Sequence, residues 1–342
     1  MRYKQLGKTG LEISVIGIGG GVFNPSKDPL LTEEKVREAL SLWIEGGVNV
    51  LDWGKDYGEN FLKKVLDKKL HLILRAKAKT KEEILEKIQE SRKVLGVPKI
   101  SVYEIFLDSM EDLKMAIDGG VFEGLEEAKR KGWIEATGIF SHDFKVLEKS
   151  IEKVDVVALL YNVVHRMGEK LIEKAHEKGK GVIAMAPLAT GILAPPIPEF
   201  KNEMISAKNA LKFVLSNPNV DCVMVGAKKK EHIEELLKIG SEEWKLEDEE
   251  RENIVKNYNE FLGENFCRMC RLCECPKGIP IPDILKLQIL AKNYGCVDFA
   301  KWCYSSFKEI VMKCDECGVC EEKCPYGVRV RESLREIKKL LG

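Results

Sequence analysis

The sequence predicts an α/β fold: a (β/α)8 TIM barrel in residues 1–242, a connecting helix in 243–262 and a small, mainly helical domain in 263–342. Eight short apolar runs alternate with amphipathic helical patterns in the first part. A charged helical pattern follows them, and ten of the eleven cysteines then lie between Cys267 and Cys324. Eight strand–helix units in about 240 residues are typical of this barrel.

Each predicted strand is almost continuously apolar, as expected for a strand buried on both faces of a parallel sheet. The runs lie at 13–19, 48–53, 70–77, 102–108, 133–141, 154–162, 181–188 and 220–227. A doubly wound open sheet is the alternative. It requires a G-x-G-x-x-G turn after the first strand, which the glycines at this point do not form: Gly17, Gly19, Gly20 and Gly21.

Charge and hydropathy exclude several classes of partner. Lys plus Arg equals Asp plus Glu, 55 against 55, so there is no global attraction to nucleic acid or to an anionic membrane. The N-terminus lacks an apolar signal core, and no apolar run reaches the roughly 18 residues that span a bilayer. We therefore expect a cytoplasmic protein, with no membrane or nucleic-acid partner. In that compartment, clustered cysteines are more often metal ligands than disulfides.

The later cysteine run reads Cys314-x2-Cys317-x2-Cys320-x3-Cys324-Pro325. This is the spacing of the bacterial [4Fe–4S] run, in which three cysteines bind one cluster and the fourth often binds a second. Thiolates are soft donors that suit iron. The spacing therefore predicts bound iron–sulfur clusters.

An earlier run repeats this pattern as Cys267-x2-Cys270-x2-Cys273-x1-Cys275-Pro276. The first three cysteines of the two runs are offset by 47 residues and the fourth by 49. Such a duplication predicts two clusters with crossed ligands. The two predicted sets are Cys267, Cys270 and Cys273 with Cys324, and Cys314, Cys317 and Cys320 with Cys275.

Structural zinc in four-cysteine sites is the alternative interpretation of these runs, although zinc sites more often use two separated C-x2-C pairs. The remaining cysteines predict packing rather than ligation. Cys222 lies in the last predicted strand and is expected in the barrel core. Cys296 and Cys303 flank a helical stretch between the runs and are expected to be buried.

Polar residues stand at the carboxyl ends of the predicted strands, where the chemistry of barrel enzymes takes place. Asp52 ends the second strand, Tyr57 follows it in the loop, and Lys77 and Asp108 end the third and fourth. Asp, Tyr and Lys together suit a proton donor, because a buried lysine cation lowers the pKa of a phenol and a carboxylate holds the lysine. The alternative is an Asp–Lys pair that braces the rim.

The last four strands end at further polar or turn residues: Ser141 with His142, Tyr161 with Asn162, Pro187 with Leu188, and Gly226. After Gly226, a three-lysine run leads into a helix, whose N-terminus is suited to bind a phosphate. We expect Lys228 to make that contact. His142 and His165 lie near the same rim, either as structural residues or in a substituted acid–base role.

Several segments resemble the aldo-keto reductases, in particular the subgroup with a C-terminal ferredoxin-like [4Fe–4S] domain. They are MRYKQLGKTGLEISVIGIGGG at the start, VLDWGKDYGEN, LILRAK, MAPLATGIL and LKFVLSNPNVDCVMVGAKKKEHIEELL. The resemblance implies that Tyr57 donates a proton to a carbonyl and that Lys77 and Asp52 tune it. It also implies that NADP or NAD delivers hydride at the mouth, held by Ser141, His142, Asn162, Pro187, Leu188, Gly226 and Lys228.

The match fails at three positions. The family usually has His where this chain has Asp108, Asn where it has His142, and Gln where it has Ala158. An anionic Asp108 beside a developing alkoxide would be unfavourable. Asp108 then stays protonated and donates, or the substrate differs, or the barrel no longer catalyses this reaction.

Three functions follow as hypotheses. The first is an NAD(P)-dependent oxidoreductase that acts on a small carbonyl or alcohol, with clusters that exchange single electrons with a redox protein partner. The second is an electron-transfer protein whose altered barrel serves as a scaffold or binds a partner protein. The third is a zinc-stabilised interaction protein.

Overall fold

The computed structural model describes residues 1–26, 28, 30–54, 57–67, 69–197, 200 and 202–342. The chain divides into two compact units. The first comprises Met1–Tyr161, Met167–Pro187 and Val214–Lys245, and the second comprises Asn162–Arg166, Leu188–Phe213 and Leu246–Gly342. The first unit ends at Lys245, and residues 162–166 and 188–213, which are predicted as barrel, group with the C-terminal segment.

The first unit contains a closed barrel of eight parallel strands, which confirms the predicted barrel. A two-stranded antiparallel hairpin, β1 (Tyr3–Gln5) and β2 (Glu12–Ser14), precedes it. Every predicted apolar run overlaps a barrel strand. The strands are β3 (Ile16–Gly19), β4 (Val50–Gly54), β5 (His71–Ala76), β6 (Ile100–Phe106), β7 (Ile134–Ser141), β8 (Val156–Leu160), β9 (Gly181–Met185) and β10 (Cys222–Val225).

One or two helices follow each barrel strand. They are α1 (Glu33–Glu45), α2 (Glu59–Val65), α3 (Lys81–Leu95), α4 (Met110–Asp118), α5 (Val121–Arg130), α6 (Phe144–Ser150), α7 (Glu169–Glu177), α8 (Ala207–Leu215) and α9 (Lys230–Ser241). Side-chain caps define several starts: Thr32 accepts from the Lys35 N–H before α1, and Thr80 from the Glu83 N–H before α3. Gly96 ends α3 in the left-handed conformation.

The C-terminal segment is helical, and its described residues contain no strand. A capping box of Glu247 and Glu250 starts the first helix, which lies within the predicted connecting segment. The helices are α10 (Asp248–Leu262), α11 (Ile281–Lys292), α12 (Val297–Ser305), α13 (Lys308–Val311), α14 (Val319–Glu322) and α15 (Val330–Leu341). Among the described residues, no helix combines the length and apolar character that crossing a bilayer requires.

The two cysteine runs end in the same way, as their sequence repeat predicts. Each ends in a Cys-Pro-x-Gly turn, in which the N–H of Gly278 donates to the carbonyl of Cys275 at 2.8 Å and that of Gly327 to Cys324 at 3.2 Å. Both glycines have positive φ, 71° and 63°. Helices α11 and α15 then begin at equivalent positions. The internal repeat is therefore structural as well as sequential.

Candidate functional site

Tyr57 lies against two glycines at the carboxyl ends of β3 and β4. A Cβ atom on Gly54 would lie 3.2 Å from the Tyr57 ring, and one on Gly21 would lie 3.3 Å from its hydroxyl. Trp53 packs edge-on against the same ring, with centroids 5.9 Å apart. The two glycines leave the room that this ring occupies, so the phenol is placed at the mouth of the barrel.

A buried charge cluster, Asp52, Arg75 and Glu104, lies on three consecutive barrel strands. Asp52 forms its ion pair with Arg75, and the Arg75 Nη2 atom is also 3.1 Å from Glu104 Oε2. The exposed fractions of the three side chains are 4%, 12% and 0%. Strand register sets this arrangement, because Arg75 is paired with Gly54 on one side and with Glu104 on the other.

Aromatic and glycine neighbours complete the buried cluster. The Phe140 ring lies 4.6 Å below the Arg75 guanidinium, a cation–π contact. Glu104 is paired with Gly138, and a Cβ there would come within 2.7 Å of Glu104 Cγ. Gly138 therefore makes room for the Glu104 side chain inside the barrel.

Two carboxyls share one guanidinium, so the buried cluster would carry one excess negative charge if both ionised. Burial raises the pKa of Glu104 to about 7, against the attraction of Arg75 and with the repulsion of Asp52. Burial also raises the pKa of Asp52. Burial alone would lower the pKa of Arg75, but Asp52, Glu104 and Tyr57 outweigh it and the pKa rises. Arg75 is thus the buried cation whose charge interacts with Tyr57.

This arrangement differs from the predicted Asp52–Lys77 pair and from the prediction of a buried Lys77. Lys77 instead pairs with Asp108, with exposed fractions of 63% and 35%. The reason is its position: β5 ends at Ala76, so Lys77 lies beyond the strand and reaches water. The pairing compensates the negative charge of Asp108, the residue predicted to disturb the site. His142 Nδ1 lies 4.0 Å from Asp108 Oδ1.

The predicted phosphate region lies beside a cavity of about 1220 Å³. Lys228 lines it and pairs with Asp28, which also lines it. The lining combines four lysines, Lys35 and the run 228–230, with carboxylates from α1. Gly226 is tightly approached, because a Cβ there would lie 2.8 Å from the Gly19 carbonyl oxygen. Ser141 is buried, and its hydroxyl accepts from the Asp143 N–H at 3.0 Å.

Three other residues predicted to bind the cofactor, Pro187, Leu188 and Asn162, lie where the chain passes from one unit to the other. Pro187 ends the first unit, and Leu188 begins the next range of the second. Asn162, in the second unit, is buried and caps a turn: its Oδ1 accepts from the N–H groups of Val164 at 3.1 Å and His165 at 3.0 Å. The His165 ring forms a hydrogen bond with the Tyr326 hydroxyl, which follows the second cysteine run.

The loops between the cysteines share an unusual backbone. Met269 and Arg271 have φ of 59° and 60°, and the equivalent residues of the second run, Glu316 and Gly318, have φ of 58° and 84°. Three of these four are not glycine, and positive φ is rare in such residues. Alternating left-handed residues bend a chain into a concave loop with inward N–H groups, as at many anion and iron–sulfur sites. Accordingly, the Met269 N–H donates to Cys267 Sγ at 3.4 Å.

Thiols from the two runs interact electrostatically. Burial, together with the charges of Cys273, Cys270 and Cys324, raises the pKa of Cys267 to about 12. Burial also raises the pKa of Cys320, with contributions from Cys275 and Cys314. A small enclosed space is lined by the second predicted set: Cys275, Cys314, Cys317 and Cys320.

All eleven cysteines are free thiols. In the described parts of the chain, no three His, Cys, Asp or Glu side chains converge as they would around one metal ion. Cys222 is buried in β10, as expected. Cys296 and Cys303, by contrast, are only half-buried, because they lie at the start and on the outer side of α12 rather than within a core.

Comparison with known proteins identifies the class of protein. A sequence profile of the Aldo/keto reductase family matches residues 15–198. The chain therefore belongs to the aldo/keto reductase family, whose members are oxidoreductases. Both cysteine runs lie outside the matched residues, so this match does not extend the family assignment to an iron–sulfur subgroup.

Individual relatives agree with this class. An uncharacterized oxidoreductase YqkF from Bacillus subtilis is 25% identical over 286 residues, covering 69% of this chain and 90% of that protein. L-galactose dehydrogenase from Arabidopsis thaliana is 25% identical over 284 residues, covering 68% and 86%. Among solved structures, aldo-keto reductase AKR11C1 from Bacillus halodurans in its holo form has a TM-score of 0.65 at 22% identity, covering 75% of this chain and 96% of that one.

Proposed function

We propose that the protein reduces a small carbonyl compound with a nicotinamide cofactor and that Tyr57 donates the proton. The observation that carries this proposal is the position of Tyr57 at the barrel mouth, over Gly54 and beside the buried Asp52–Arg75 pair. Carbonyl reduction adds one hydride to carbon and one proton to oxygen. NADPH or NADH supplies the hydride when bound.

The residues of the barrel mouth divide this work. Tyr57 gives its hydroxyl proton to the carbonyl oxygen, and the permanently charged Arg75 stabilises the phenolate left behind. Asp52 holds Arg75 in place. In the first unit, the groups suited to hold the cofactor are Ser141, His142, Pro187 and Gly226 with Lys228. For the second unit, Asn162 and Leu188 are separate proposed contacts.

Asp108 need not oppose this chemistry. Its ion pair with Lys77 places a cation beside it, so that a substrate oxygen would meet a paired group rather than an isolated carboxylate. The Lys77 ammonium then takes the electrophilic role that a histidine has elsewhere in the family. L-galactose dehydrogenase among the relatives is consistent with a carbonyl or alcohol substrate.

Cofactor binding tests the proposal directly. Titration of anaerobically purified protein with NADPH and with NADH should change nicotinamide fluorescence in a saturable manner for at least one of them. Lys228→Met should weaken the binding of the phosphate-bearing cofactor. Lys245→Met is the control, because this exposed lysine pairs with Glu243, and it should leave the binding unchanged. Binding of neither cofactor would refute a nicotinamide-dependent reductase.

We further propose that the two cysteine runs bind two [4Fe–4S] clusters, with Cys324 joined to the first run and Cys275 to the second. Support comes from the repeated left-handed loop residues and from the thiol proximities. The donor set of eight thiols fits two cubane clusters. When bound, the clusters would carry single electrons, for which a redox protein is the natural partner.

Iron content in pairs of variants tests the crossed ligand sets. The wild-type protein should contain about eight irons, and each single change, Cys267→Ala, Cys314→Ala or Cys324→Ala, should leave about four. Cys267→Ala with Cys324→Ala should still leave about four, because both serve one cluster, whereas Cys314→Ala with Cys324→Ala should leave none. Cys303→Ala is the control that keeps eight. The reversed pattern in the double variants would exclude crossed sets, and zinc without iron would exclude clusters.

The departures from the family pattern favour a second function, an electron carrier with an inactive barrel. Asp108, His142 and Ala158 replace residues that the family uses for substrate and nicotinamide. The same two experiments separate the functions. Full iron content with no binding of either cofactor would favour the electron carrier.

A further inference from the structure

The C-terminal helices contact the backbone of the segment that follows β9. Lys286 Nζ, on α11, donates to the carbonyl oxygen of Thr190 at 2.6 Å. The Tyr294 hydroxyl, just after α11, donates to the carbonyl oxygen of Ile192 at 2.8 Å. All these residues belong to the second unit. Two side chains from one short stretch thus fix two carbonyls only two residues apart.

The contacted segment is strained. Ala189 and Thr190 have φ of 43° and 57°, values that non-glycine residues seldom adopt. Such conformations persist only where the surroundings hold them, and they concentrate at ligand-binding loops. Lys286 and Tyr294 contribute to this support, because they donate hydrogen bonds to the carbonyl oxygens of Thr190 and of the nearby Ile192.

The anchors are themselves firmly held. The Tyr294 ring packs edge-on against Phe200 and Phe261, with centroids 5.0 and 5.1 Å away. Helix α11 is also tied to the first cysteine run, because Arg271 Nη2 donates to Asp283 Oδ1 at 2.9 Å. One helix therefore connects the cysteine run to the segment after β9.

We propose that Lys286 and Tyr294 are positioning residues, which hold the backbone of residues 188–192 in the conformation that binds the nicotinamide cofactor. This inference rests on the proposed function, in which Leu188 binds the cofactor. The extension fixes the backbone of residues 188–192, and the loop binds the cofactor in that conformation. Neither side chain touches the reacting atoms.

Cofactor affinity in matched variants tests the inference. Lys286→Met should raise the Kd for the bound nicotinamide cofactor about tenfold, since the lost bond has a charged donor. Lys292→Met is the control on the same helix, because Lys292 donates to Glu336. The Kd of this variant for the cofactor should equal that of the wild type. Tyr294→Phe removes one hydroxyl and keeps the ring packing, and it should also raise the Kd. Lys286→Arg should restore part of the affinity.

Turnover distinguishes positioning from a general loss of structure. The KM for the cofactor should rise in Lys286→Met while kcat at saturation stays near the wild-type value, because Tyr57 is untouched. If the wild type binds cofactor and both Lys286→Met and Tyr294→Phe bind it equally well, this inference is wrong and the proposed function stands. Equal weakening in Lys292→Met would also overturn it. A wild type that binds no nicotinamide would overturn both.

Discussion

Replacing Tyr57 with phenylalanine should lower kcat for carbonyl reduction by about 10²–10⁴-fold, the range that a positioned proton donor contributes. The change removes one oxygen atom and keeps the ring that packs on Gly54 and Trp53. The cofactor Kd should therefore remain close to that of the wild type. The effect is measured as the rate at which an activated aromatic aldehyde is reduced, monitored through the loss of nicotinamide absorbance.

Tyr3→Phe provides the matched control for this change. Tyr3 lies in the exposed hairpin strand β1, and its hydroxyl donates to the Gly47 carbonyl at 2.6 Å. Its loss should leave kcat unchanged. Iron content should be the same in both variants and in the wild type. A Tyr57→Phe protein that keeps its kcat would show that the proton comes from another group, and His142 would be the next candidate.

The barrel could be predicted from the sequence because burial on both faces leaves a simple pattern. Each strand is almost entirely apolar because it lies between the outer helices and the filled barrel interior, and each run found in this way overlaps a barrel strand. Strand ends were less exact. The second predicted strand ended at Asp52, but β4 continues to Gly54, because Gly54 pairs with Arg75 on β5.

The sequence pattern does not predict the buried charge cluster, for a physical reason. Asp52 and Lys77 both lie at predicted strand ends, so they were paired, whereas the partner of Asp52 depends on register between strands. A signal was nevertheless present. Arg75 and Glu104 each interrupt an otherwise apolar run, and an isolated charge within a buried strand requires a charged partner nearby.

The spacing of the cysteines predicts only part of the local structure around them. The repeat and its eight sulfurs are visible in the sequence, since spacing along the chain is enough to find them. The left-handed conformation of Met269, Arg271 and Glu316 is not, because none of these residue types favours positive φ. The grouping of 188–213 with the C-terminal helices depends on contacts such as Lys286 with Thr190, which no local pattern records.

Replacing Arg75 with methionine should lower the free energy of unfolding by about 3–5 kcal/mol, the cost of leaving buried partners without their opposite charge. Asp52 and Glu104 would both have to take up protons to stay buried. Lys77→Met is the matched control: it removes a pair whose lysine is 63% exposed, and it should cost less than about 1 kcal/mol. Denaturant unfolding at pH 7 measures both. A similar cost for the two variants would contradict the buried cluster.

The same cluster should make stability depend on pH. The pKa of Glu104 is about 7 in the folded protein, above its ordinary value of 4.5, so the folded state binds more protons between these values. The contribution of Glu104 to the free energy of unfolding should therefore be largest below pH 4.5. This contribution should fall by an amount on the order of 3 kcal/mol as pH rises through 7.

Glu104→Gln isolates this contribution. The glutamine keeps the shape of the side chain beside Gly138, cannot ionise, and leaves Asp52 and Arg75 as a neutral pair. Its unfolding free energy should change less between pH 5 and pH 8 than that of the wild type, and the difference between the two proteins should grow with pH. An equally steep fall in Glu104→Gln would assign the pH dependence to the other buried carboxyls whose pKa burial raises, Asp52 and Asp221.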